Sequence, residues 1–158
     1  MALWQFTFRV VPKKVFLRSQ GVIPSNVSHE QFLDLPTWEI REYEASLLEL
    51  LNSFFLKDES QTGYRTSWGK PDETTLYFSY DENNMVDFTI RLDLRSVTKE
   101  IIEEVCSIGT ILDAVIVTET GSVITLNKKR LVEEIKLSKA FKFISDPRGF
   151  FGDNKSSE

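Results

Sequence analysis

Residues Asp87 to Arg95 alternate without a break. Phe88, Ile90, Leu92 and Leu94 are apolar, while Asp87, Thr89, Arg91, Asp93 and Arg95 are polar or charged. Side chains on a strand point to opposite faces in turn, so this run builds one apolar wall and one charged wall. The preceding stretch from Thr74 has the same habit, and the two join through Asp81-Glu82-Asn83-Asn84. The pattern predicts an antiparallel hairpin with helices on its apolar face and its charged face open to water or to a partner. Few folds satisfy that requirement.

Trp4, Phe6, Phe8 and Val10 alternate with Gln5, Thr7 and Arg9, a second strand that Pro12 ends. Residues 13 to 36 carry Gly21, Pro24 and Pro36 as breakers and read as a long irregular connection with room for a short helix. From Thr37 to about Phe55 the apolar residues Ile40, Tyr43, Leu47, Leu50, Leu51 and Phe54 fall at helical spacing. Residues 57 to 73 read as a polar loop around Trp68. A helix is expected over Thr98 to Ile108, with Gly109 as a left-handed cap. A second hairpin follows over Ala114 to Thr118 and Ser122 to Leu126. Asn127 then caps a last helix from Lys128 to about Ile144.

The order strand, helix, strand, strand, helix, strand, strand, helix predicts an α+β fold, a largely antiparallel sheet with helices packed on one face. Its first six elements suit a ferredoxin-like variant, in which the first and third strands are parallel central neighbours and bring Arg9 close to Arg91. The expected domain covers residues 1–147, and residues 148–158 form a polar tail in which Phe150 and Phe151 could dock.

With 158 residues, 41% of them hydrophobic, the chain has material for one substantial core. A net charge of −5 speaks against a general nucleic-acid binder, which needs a dense basic footprint. Cys106 is the single cysteine, so an intrachain disulfide and a cysteine zinc cluster are excluded. No stretch approaches the roughly 20 apolar residues of a membrane span. The first residues lack the basic and apolar parts of a secretory signal, so the expected location is cytoplasmic.

No residue pattern marks catalysis. His29 stands without spaced carboxylates or a nucleophile motif, Cys106 lies among core-like neighbours, and glycines never cluster into a phosphate-cradling loop. The expectation is no enzyme, no metal and no cofactor. Lys128, Lys129 and Arg130, with Lys136, Lys139 and Lys142, form either an anion-holding patch or a solvated face broken by Glu133 and Glu134. The leading site is the charged sheet face, with partner-contacting residues Arg9, Tyr77, Asp87, Arg91, Asp93 and Arg95. Trp68 joins them either as a loop anchor for a partner or as a cover on the core.

Several phrases together resemble one class of protein. They are Trp4-Gln5-Phe6 leading to Val11-Pro12-Lys13-Lys14, Gly21-Val22-Ile23-Pro24, Ser67-Trp68-Gly69, Ile90-Arg91-Leu92-Asp93-Leu94-Arg95, and Ser138-Lys139-Ala140-Phe141 before Asp146-Pro147. The set resembles small bacterial immunity proteins that accompany polymorphic toxins. That resemblance implies a non-enzymatic protein that binds a cognate toxin domain and neutralises it. The class shares no functional residues to carry over. The alternative from the residues themselves is an RNA- or nucleotide-related module using the same sheet face.

Overall fold

The computed structural model describes residues 2–39, 44–58, 64–70, 72–82, 85–146 and 148. In chain order the elements are β1 (Gln5–Pro12), α1 (Lys13–Gln20), α2 (His29–Leu33), β2 (Trp38–Glu39), α3 (Glu44–Phe54), β3 (Arg65–Trp68), β4 (Thr75–Tyr80), β5 (Met85–Asp93), α4 (Lys99–Leu112), β6 (Ala114–Thr118), β7 (Val123–Thr125), α5 (Lys128–Leu137) and α6 (Lys139–Ser145). The fold is α+β, as the alternation of Asp87 to Arg95 requires.

The strands form a sheet in the order β3-β4-β5-β1-β6-β7, and β2 pairs with the start of β5. Each pairing is antiparallel. The expected parallel pair is therefore wrong: β1 runs against β5, with Phe6 opposite Leu92 and Phe8 opposite Ile90. β5 returns from β4 through a hairpin and lies between β4 and β1, antiparallel to both, while β3, a strand where a polar loop was expected, adds an outer edge beside β4. β5 and β6 then run the same way with β1 between them, and α4 makes the crossover.

Alternation explains the main core. Phe6, Phe8 and Val10 of β1 join Phe88, Ile90 and Leu92 of β5 and Leu76 and Phe78 of β4. Phe78 stacks on Phe88 at 4.3 Å between centroids and takes Trp68 and Trp38 edge-on at 5.8 and 6.2 Å. Leu47 and Leu51 of α3, Val105 and Ile108 of α4, and Leu131 of α5 close this face.

The opposite face is not left bare. Residues 13 to 36 contain α1, with Pro12 at its N-cap, and α2, which has a capping box: Gln31 N–H donates to Ser28 Oγ, and Ser28 N–H to Gln31 Oε1. Phe16, Val27 and Leu35 cover Val11, Val115 and Val117 there, making a second, smaller core. Sequence periodicity over these residues is too short to announce either helix. The second face is thus covered over β1 and β6, and among the described residues the helices of that face, α1 and α2, make no substantial contact with β3 or β4.

Other boundaries also shift. Trp38 and Glu39 belong to a strand that extends the β1 edge of β5, so α3 begins later than the apolar spacing suggests. Ile40, Tyr43, Asn83, Asn84, Phe150 and Phe151 lie outside the described residues. Gly109 is no cap. Helix α4 continues to Leu112 and ends on Asp113 at φ 45°, and a Cβ on Gly109 would lie 2.5 Å from Leu126 Cδ2 and 2.7 Å from Leu126 Cβ. The glycine is there so that α4 can press against Leu126. Asn127 caps α5 as expected, accepting from Arg130 N–H at 2.9 Å. The last helix is two helices, because Ser138 leaves helical geometry at ψ 154° and caps α6 through Phe141 N–H.

Candidate functional site

The polar face forms rows across the strands. Thr75, Arg91 and Thr7 lie opposite one another on β4, β5 and β1. The next row is Ser67, Tyr77, Thr89 and Arg9, and beyond it come Arg65, Ser79 and Asp87. Arg9 and Arg91 occupy diagonal positions on adjacent strands. The short side chains Thr7, Ser67, Thr75 and Thr89 are buried, which leaves Arg65, Tyr77, Ser79, Asp87 and Arg91 as the layer that meets solvent.

Tyr77 is the centre of that layer. The Arg65 guanidinium lies over its ring at 3.8 Å and the Arg91 guanidinium at 5.5 Å, and Arg91 Nη2 donates to Tyr77 Oη at 3.3 Å. Cation–π contacts of this kind hold arginine without neutralising it. Among the described residues, neither Arg65 nor Arg91 has a carboxylate within ion-pair distance. Arg91 Nε also lacks a hydrogen-bond partner, as does Thr75 Oγ1 opposite it. Arg65 escapes a sequence reading because its strand has four residues. Its signal is the alternation of Arg65 and Ser67 with the inward Thr66 and Trp68.

Several expected contact residues serve the fold instead. Trp68 is fully buried, and its indole N–H donates to Asn52 Oδ1 at 2.8 Å, so it covers the core and offers no surface to a partner. Arg9 ties α2 to the sheet: Nη1 donates to Phe32 O at 2.7 Å, the guanidinium lies 4.9 Å from the Phe32 ring centre, and Nη2 is 3.5 Å from Asp87 Oδ2. Burial raises the Asp87 carboxyl above its ordinary range, against the pull of Arg9.

Asp93 and Arg95 form a clasp. Arg95 donates from Nε and Nη2 to the two Asp93 carboxylate oxygens at 3.0 and 2.8 Å, its backbone N–H adds 2.9 Å, and its guanidinium lies 4.0 Å over Trp4. The Asp93 side chain is only 2% exposed, and these hydrogen bonds hold its carboxyl below the usual range. The clasp joins the end of β5 to the segment leading into β1. Of the expected set, Tyr77, Asp87 and Arg91 remain on the open layer, and Arg65 joins them.

The other candidates have simple placements. His29 is exposed at the first position of α2. Cys106 is half-buried, and burial pushes its thiol up, away from the reactive thiolate. Within the basic run, Lys128 pairs with Glu103 at 3.6 Å, and Arg130 pairs with Glu133 and Glu134 at 3.4 and 3.6 Å. Among the described residues no group of His, Cys, Asp and Glu is arranged to hold a metal, and no helix is long and apolar enough to cross a membrane. Compared with protein-family models, curated proteins and solved structures, the chain matches none of them.

Proposed function

We propose that this chain is a non-enzymatic, cytoplasmic protein-binding module of the toxin-neutralising kind that its sequence phrases resemble. In this reading it docks an acidic surface of one cognate toxin on the open half of its sheet. The observation that carries the reading is the Arg65–Tyr77–Arg91 stack. Two guanidinium groups are fixed on one ring, with no carboxylate in ion-pair contact among the described residues. Fixing them in advance lowers the entropy lost on binding, and their charge speeds encounter with an acidic partner. Arginine and tyrosine are also the residue types that dominate interface energetics.

The same stack disfavours the RNA reading. A base needs a free aromatic face, and Arg65 lies 3.8 Å from the centre of the Tyr77 ring. The net charge of −5 adds general repulsion from phosphate.

The test is co-expression with a toxic protein encoded beside this chain. The wild type should restore growth and form a stoichiometric complex. Arg65→Glu with Arg91→Glu should weaken that complex by roughly 10- to 1,000-fold, in line with loss of central charged contacts. An unchanged affinity in the double variant sinks the platform, and failure of the wild type to protect sinks the toxin-neutralising role.

A further inference from the structure

Where β1 begins and β6 ends, a cleft of about 410 Å³ opens beneath the break between α5 and α6. That volume falls in the range of sites that receive a ligand or an anchoring side chain. Its lining is mainly apolar, from Leu3, Phe6, Leu137 and Ala140. Leu3 and Leu137 are 46% and 71% exposed, so two large apolar side chains stand at the mouth instead of closing it. Ser138, where the chain leaves helical geometry between α5 and α6, is part of the lining.

The charges around the cleft are unequal in their engagement. Glu134 is held by Arg130 at 3.6 Å; Glu119 also lines the cleft without an ion pair among the described residues, and burial raises its carboxyl above the ordinary range against the pull of Arg91. Lys139 and Lys142 are exposed, and among the described residues neither has a carboxylate within ion-pair distance. Thr7 lines the cleft and also faces Arg91 in the β1–β5 register, so the cleft continues the open sheet face.

We propose that this cleft is the anchor pocket of the interface. It receives one large apolar side chain of the protein partner, and an acidic residue beside that anchor meets Lys139 and Lys142. The inference rests on the protein-binding reading above and adds the chemistry of the segment that is recognised. An apolar anchor in a pocket with charges at its rim is the usual anatomy of a binding hot spot.

The full chain, methyl-labelled at leucine and alanine, can be titrated by NMR with acetyl-Leu-Glu-Glu-amide. The methyls of Leu3, Leu137 and Ala140 should shift saturably. Acetyl-Leu-Gln-Gln-amide, or the acidic peptide on Lys139→Glu with Lys142→Glu, should bind roughly threefold or more weakly, the scale of exposed charge pairs. Acetyl-Gly-Glu-Glu-amide should leave those methyls unmoved. No saturable shift at these methyls, equal binding of the neutral peptide, or equal shifts with the glycine peptide would each overturn the pocket. The Arg65 and Arg91 variants report on the platform separately, so the pocket can fail while the protein-binding reading stands.

Discussion

Asp93 shows how one residue changes meaning once its neighbours are known. In sequence it is one charge in an exposed row, interchangeable with Asp87. In the fold it is buried under Arg95, and its carboxyl is held below the ordinary range. Its stabilising contribution is fully present above the unfolded carboxylate value of about 3.9 and is lost as pH falls through the folded value. Asp93→Asn should therefore lower the urea midpoint at pH 7, and the gap to wild type should close toward pH 2. A gap that stays constant across that range removes the clasp as its cause. Asp87 has the opposite sign: its raised carboxyl favours folding most at low pH, and the benefit fades as pH rises through the folded value. Charge reversal at Asp93 would thus test the fold and say nothing of an interface.

Gly109 carries a second residue-scale lesson. Its placement after Ile108 reads as a helix stop, yet it sits inside α4 against Leu126. Gly109→Ala should gain helix propensity and still cost about 1–3 kcal/mol from overpacking, because the Leu126 Cβ cannot swing away. Leu126→Ala in the same chain should recover part of that loss, measured as coupling in a double-mutant cycle. Simple additivity would show that the contact is not the source.

At the scale of elements, strong periodicity was readable and short elements were not. The alternation of β1 and β5, the β6–β7 hairpin and the Asn127 cap follow from spacing and residue type. Helices α1 and α2 span eight and five residues, too few to display an apolar stripe, and β3 spans four. These missed pieces extend the sheet beside β4 and close half of the second face. They also explain why the candidate site was only partly legible: Arg9 belongs to α2's anchorage because α2 exists. Arg9→Met should cost about 1–3 kcal/mol, the value of hydrogen bonds to a charged donor. Hydrogen exchange should quicken at the amides of Phe32 and Asp34, which bond within α2 and its cap, more than at β5. Uniform acceleration would mean that Arg9 supports the whole sheet and not this helix.

For the molecule as a whole, the division of the second face into a covered half and an open half matters most. The covered half lies over β1 and β6, and the open half presents Arg65, Tyr77 and Arg91 on a chain that is acidic overall. A local positive patch on a negative body orients an approaching acidic partner. The association rate of the proposed complex should fall steeply as salt rises from about 0.05 to 0.5 M, and the fall should flatten in the Arg65→Glu, Arg91→Glu double variant. Stopped-flow rates at a few ionic strengths decide it, and equal slopes would place the steering charges elsewhere.

The antiparallel insertion of β1 between β5 and β6 has a temporal consequence as well. β1 precedes both of its partner strands by a long stretch of chain, since Phe8 pairs with Ile90 on one side and with Thr118 on the other. Until β5 is made, the aromatic face of β1 has no sheet to join. Pairings so distant along the chain are slow to form, and no early fragment contains a finished core. The growing polypeptide therefore leaves the aromatic face of β1 uncovered by any sheet until the β4–β5 hairpin has been made.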